Sequence, residues 1–224
     1  SGSLLAQDEL QVLEHPVLAS LRDHLMKVFN TIPEAAPRTV SHAGPTPCLI
    51  SGVPRHIELD TQPAPDAPRG LYGNNFAPAA QTVVLNHTRF LDPPTVSNIL
   101  AISSLQGKGL YTLSQVNTLL TTMYTGFKAA VLETPGNKVS IHTGALGCGA
   151  LGGNVELMTI LQFVGAWAAG VSEISFHAFD KGQEQSYQHA ISWVEANTHS
   201  GITISKIIPQ IMERNFKWGH GNGT

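Results

Sequence analysis

Charge is scarce in this chain: 13% of its 224 residues are Asp, Glu, Lys or Arg, and the formal net charge is −3. Without a basic surplus, neither a nucleic acid nor an anionic membrane surface is an expected partner. Any polyanion must be held locally, by backbone donors. Cysteine is nearly absent. Cys48 and Cys148 cannot build a disulfide framework, and they fit a reducing, intracellular, cytosolic setting. No apolar run reaches the ~18 residues of a membrane span. Residues 155–171 come nearest, and Glu156 and Gln162 interrupt them. Catalytic signatures are missing too. There is no G-x-S-x-G elbow for a serine hydrolase. The ten histidines include no H-E-x-x-H and no close ligand spacing, so neither a metal site nor a cofactor is expected.

Glycine, by contrast, is concentrated. The run Gly144-Ala145-Leu146-Gly147-Cys148-Gly149-Ala150-Leu151-Gly152-Gly153-Asn154 holds five glycines. Each costs folding entropy unless the backbone needs the freedom. The run lies between a strand-like segment, 138–143, and a helix-like segment from Val155. Bare N–H groups in such a loop, with the positive end of a helix behind them, suit a phosphate. A nucleotide diphosphate is the expected ligand class. Gly147-Cys148-Gly149-Ala150-Leu151-Gly152 also fits the G-x-G-x-x-G of dinucleotide-binding folds, so a Rossmann dehydrogenase is one reading. Against it, that fingerprint usually opens its domain, and here the run comes late.

The length suits one well-filled domain. Leu10, Leu13, Val17, Leu21, Leu25 and Val28 recur at helical steps over 8–32, with a break at Pro16. Strands are expected at 46–51, 82–86, 139–143 and 173–179. Helices are expected at 115–132, 155–169 with Gly170 as C-cap, 183–196, and 202–216 with Pro209 inside. The stretch 54–80, rich in Pro, Gly and Asn, reads as a long surface excursion. Alternating strands and helices argue for an α/β layered fold.

The segment 139–154 resembles the signature loop of poly(ADP-ribose) glycohydrolases, which carry T-G-N-W-G-C-G-A-F-G-G-D. Thr143, Gly144, Gly147, Cys148, Gly149, Ala150, Gly152 and Gly153 agree with it, and Asn154 is a near match. Further segments resemble the same family: Glu156 to Gln162 its following helix, Ser175 to Asp180 its aromatic strand, Met123 to Phe127 its A-Y-C-G-F, and Cys48-Leu49-Ile50 a C-L-I strand. The opening Gln7-Asp8-Glu9 resembles the end of its catalytic loop, Q-E-E.

The resemblance implies a macrodomain-like three-layer α/β/α fold with a mixed central sheet. Residues 1–218 would be its C-terminal part, with 54–80 as an adenine-side loop and 219–224 as a flexible tail. Upstream elements would be missing, or supplied by a second chain. It further implies hydrolysis of the glycosidic bond to ADP-ribose. Glu9 would be the general acid and base, Asp8 would orient the ribose, and Gln7 would position it. Partial burial and the ligand's phosphates would raise the pKa of such an acid. Gly147, Cys148, Gly149, Ala150 and Gly152 would bind the diphosphate through N–H groups. Leu151 stands where the family's ribose-packing Phe stands, and Leu146 replaces its Trp. Phe176 or Phe179 would stack on adenine, with Tyr72 and Phe76 closing the other face. The acceptor is another ADP-ribose unit or a protein side chain such as arginine. Ubiquitin is then an expected partner, and a host cytosol the setting of an exported effector. A reader that holds ADP-ribose without cleaving it is the other reading.

Overall fold

The computed structural model describes residues 5–31, 39–41, 44–199 and 201–221. The element order is α1 (Gln7–Glu14), α2 (Val17–Thr31), β1 (Val40–Ser41), β2 (Gly44–Pro45), β3 (Cys48–Leu59), α3 (Gln81–Asn86), β4 (Thr88–Ala101), α4 (Leu113–Leu132), β5 (Ser140–Thr143), α5 (Val155–Ala169), β6 (Glu173–Phe176), α6 (Lys181–Asn197) and α7 (Ile204–Glu213). The chain divides into two compact units, one from 1–37 and 50–99, the other from 38–49 and 100–223.

In the first unit, Pro16 separates α1 from α2, as its missing N–H dictates. Leu10 and Leu13 of α1 pack on a cluster of Leu5, Leu59, Ala67 and Leu71. Glu14 is buried there. Arg55 Nε donates to one of its oxygens at 2.9 Å and the Leu59 N–H to the other at 3.0 Å, as a carboxylate removed from water requires.

Two expectations change in this unit. β3 runs on through Pro54 to Leu59, so the surface excursion begins later than 54. Residues 82–86 form helix, not strand. Val83 and Val84 pack on the Leu5–Leu71 cluster while Leu85 is exposed, and the Ala80 carbonyl accepts both the Val83 and Val84 N–H groups. Three adjacent apolar residues do not fix a period, and packing decided.

The second unit is built on α5, against which α4 and α6 pack. Leu157, Ile160, Leu161 and Val164 of α5 are fully buried, each contributing about 1.5–3 kcal/mol of apolar burial. Asn154 caps its start, accepting from the Leu157 N–H, and Gly170 ends it in the left-handed conformation at φ 82°. β5 and β6 pair in parallel, Ser140 opposite Glu173 and Thr143 opposite Phe176, with α5 as the crossover. β6 stops at Phe176, short of the expected 179, because the His177 N–H makes the last bond, to the Thr143 carbonyl, before the chain turns into α6.

The α/β class holds, with parallel and antiparallel pairing both present and helices around the β5–β6 pair. The described strands nevertheless fall into three two-stranded sheets, β1–β2, β3–β4 and β5–β6, rather than one central sheet. The expected free tail is tied at its start, where the Gly219 N–H donates to the Gly152 carbonyl. Residues 222–224, and Ser1 to Leu4 of the opening motif, lie outside the described residues. No helix among the described residues is long and apolar enough to cross a membrane.

Candidate functional site

β5 delivers the chain into the glycine run and α5 takes it out, the layout the sequence pattern requires. The run is pinned from behind by Gln162, a buried residue of α5. Its Nε2 donates to the Gly144 carbonyl at 3.1 Å, and its Oε1 is bonded to the Thr143 hydroxyl. Within the loop, the Cys148 N–H donates to Ala145, Gly152 to Gly149, and Gly153 to Gly147 at 2.8 Å. Among the described residues, no acceptor meets the N–H groups of Gly147, Gly149, Ala150 and Leu151. Three of the expected donor residues are thus open. Cys148 and Gly152 are not, because their N–H groups close the loop's own turns. Leu151 joins the open set through its backbone.

Gly147 has φ 69°, and a Cβ there would run into the Ser104 hydroxyl, so no other residue fits. Burial pushes the Cys148 thiol up to about 12, and its Sγ lies 3.4 Å from the Leu146 carbonyl. The thiolate is the nucleophilic form, so a pKa raised in this way disfavours reaction at Cys148.

At the head of α5, the Asn154 N–H donates to the Tyr111 hydroxyl at 2.9 Å. Tyr111 stacks on Trp218 with ring centroids 4.1 Å apart, and burial pushes its hydroxyl up to about 12. Sequence reasoning missed Tyr111, which carries no motif. It also missed the role of Gln162, whose signal was a lone amide on an otherwise apolar helix face.

Phe176, at the end of β6, stacks on Tyr187 at 5.2 Å. Phe179 is 77% exposed. Both line an open depression of about 420 Å³ with Ala178, Asp180, Glu184 and Tyr187. Its two carboxylates favour donors, such as a purine amine or a ribose hydroxyl, over a phosphate. His142 and His177, at the ends of the paired strands, meet through Nδ1 and Nε2 at 3.0 Å.

In the first unit, Gln7, Asp8 and Glu9 form the exposed first turn of α1. The Ala6 N–H donates to Glu9 Oε2 at 3.0 Å, a helix-capping bond. The burial expected of a general acid is therefore not found at Glu9. Tyr72 lies beside this turn. Burial first, then the negative charge of Asp8, holds its hydroxyl above the usual tyrosine range, while a hydrogen bond with the Gln7 backbone opposes them. The bridge between Leu5 and Gly73 keeps the two segments together, with bonds of 3.1 and 2.8 Å. Phe76 is half-buried and packs on the Leu5–Leu71 cluster.

A family model described as poly (ADP-ribose) glycohydrolase (PARG), Macro domain fold, matches residues 72–186, about half of the chain. The chain belongs to this family. The match takes in Tyr72, Phe76, the glycine loop, Phe176 and Phe179, and leaves Gln7, Asp8 and Glu9 outside. None of the individually curated proteins matches the chain. Among the described residues, no three His, Cys, Asp or Glu side chains are grouped to hold a metal ion.

Proposed function

We propose that the chain is an ADP-ribosyl glycohydrolase that holds the ligand's diphosphate on the open N–H groups of Gly147, Gly149, Ala150 and Leu151. The observation that supports it best is this donor set at the head of α5, inside the residues that match the family. N–H groups beside a helix N-terminus favour an anion without any basic side chain, which suits a chain with so little charge. The carboxylates of Asp180 and Glu184 beside Phe179 suit the adenosine end. In the reaction, Glu9 as the acid passes its proton to the leaving atom of the acceptor while that atom's bond to C1″, the anomeric carbon of the distal ribose, breaks. The resulting carboxylate takes a proton from the water that attacks C1″. Asp8 orients the ribose hydroxyls and Gln7 positions the ring.

Leu146 and Leu151 stand where the family carries Trp and Phe. With less aromatic surface against the ribose, a linkage to a protein side chain, such as an arginine of ubiquitin, is favoured over another ADP-ribose unit. The test is release of ADP-ribose from arginine-linked ubiquitin, from other modified proteins and from the polymer. Wild type releases it from at least one, and Glu9→Gln releases none while still binding free ADP-ribose. Release by Glu9→Gln at the wild-type rate would remove Glu9 from the mechanism.

A second reading is a non-catalytic reader of ADP-ribose. It is favoured by the exposure of Glu9 and by the bond from the Ala6 N–H to its carboxylate. A wild type that binds ADP-ribose but cleaves none of these substrates would establish it.

A further inference from the structure

The C-terminal segment runs antiparallel beside the second half of the glycine loop. The Asn154 side-chain amide donates to the Lys217 carbonyl at 3.3 Å. Two residues on, the Gly219 N–H donates to the Gly152 carbonyl at 2.8 Å. Two further on, Gly221 lies so close to the Ala150 carbonyl oxygen that a Cβ on it would collide. Residues 217, 219 and 221 thus meet 154, 152 and 150 in strict register. A Cβ on Gly152 would sit 2.8 Å from the Gly221 nitrogen, so the approach is backbone on backbone.

The segment is itself anchored. Leu110 and Lys217 form an antiparallel bridge, the Tyr111 N–H donates to the Phe216 carbonyl at 3.0 Å, and the Trp218 N–H donates to the Gly109 carbonyl at 2.8 Å. The Trp218 ring lies against Gly107 and on Tyr111, which in turn holds the Asn154 N–H.

We infer that residues 217–221 are a positioning element of the diphosphate loop: they hold its Ala150 and Gly152 carbonyls on one side and thereby turn the free Leu151 N–H to the other. In a trans peptide the C=O and the following N–H point in opposite directions. The Ala150 carbonyl faces the segment, so the Leu151 N–H faces away from it. The Gly152 carbonyl is bonded to Gly219, so the Gly153 N–H is turned inward, where it closes the turn on the Gly147 carbonyl. A glycine loop without such a brace has many conformations and gathers its donors only at an entropic cost. The ligand assigned to these donors rests on the proposed function above; the brace does not.

The test compares wild type, Gly221→Val and His220→Ala, all as the full chain. Hydrogen exchange without ligand reads the brace alone. Gly221→Val should speed exchange at the Gly152 and Gly153 amides at least tenfold, while the circular dichroism and the exchange of α4 stay as in wild type. His220→Ala, which keeps every backbone contact, should exchange as wild type does. Calorimetry with free ADP-ribose then reads the consequence. Gly221→Val should bind at least tenfold more weakly and His220→Ala unchanged, and any kcat on a cleaved substrate should fall less than KM rises. Unchanged loop exchange in Gly221→Val, or tighter ADP-ribose binding in a chain shortened by residues 219–224, would overturn the brace. Faster loop exchange together with no ADP-ribose binding by wild type would overturn the proposed function and leave the brace standing.

Discussion

The main-chain N–H of Asn154 donates to the hydroxyl of Tyr111 across 2.9 Å, and this bond fixes the first turn of α5 behind the glycine loop. Tyr111→Phe keeps the ring stack on Trp218 and removes only the acceptor. A backbone donor left without its partner costs about 1 kcal/mol. In a chain of this size that lowers the Tm by roughly 2–4 °C. Exchange of the Asn154 amide should accelerate in the same variant. A Tm and an exchange rate both equal to wild type would contradict this role.

Gln162 holds the other end of the loop. Gln162→Leu suits the apolar face of α5 but leaves the Thr143 hydroxyl without its partner and the Gly144 carbonyl with the Leu146 N–H alone. The expected cost is about 1–3 kcal/mol, read by denaturant unfolding. Binding of ADP-ribose should weaken as well, since the loop loses its rear anchor. A variant that is as stable as wild type would show that the amide is only a tolerated polar group.

The two cysteines should react differently. Cys48 is exposed, whereas burial pushes the Cys148 thiol up to about 12. The thiolate is the reactive form. A thiol-reactive dye at mildly alkaline pH should label Cys48 in the folded protein and Cys148 only after unfolding. Mass spectrometry of the labelled peptides decides it, and fast native labelling of Cys148 would refute the buried setting.

His87 and Asp66 give the first unit a pH dependence. The hydrogen bond that His87 Nε2 donates to the Asp66 carboxylate, at 3.0 Å, raises the His87 pKa above 6.5, and the same bond lowers the Asp66 pKa below 3.8. The His87 contribution is fully present below 6.5 and is lost as pH rises through the raised pKa. The Asp66 contribution is present above 3.8 and is lost as pH falls through the lowered one. The pair therefore favours the folded state most between these limits. His87→Gln should narrow the stability gap to wild type as pH goes from 5.5 to 8.5, measured by urea unfolding. A gap that stays constant would show that the pair is not charged.

The sequence was most legible where local chemistry and packing agreed. The 155–169 helix could be delimited because Asn154 caps one end, Gly170 the other, and most of what lies between is buried. The glycine loop was legible for a similar reason, since five glycines in one run mark a backbone that must turn tightly, and Gly147 and Gly152 do so at positive φ. The helix at 81–86 was not legible, because three apolar residues in a row suit either structure until a surface exists for them to pack on. The C-terminal segment was hidden for another reason. Gly219 and Gly221 act through backbone approach to residues far away in the chain, and composition alone marks them as a tail. The distribution of open and closed N–H groups among residues 147–153 lies in the same class, because only the folded turns decide which carbonyl each one meets.

The central claim is that the open amides of the glycine loop receive the diphosphate of ADP-ribose. Amide NMR of the isotopically labelled chain, titrated with free ADP-ribose, tests it directly. The largest saturable shifts are predicted at the Gly147, Gly149, Ala150 and Leu151 amides, with smaller ones at Gly152 and Gly153, which are already bonded. ADP-ribose binding that leaves those four amides unmoved, or no binding at all, would contradict the account.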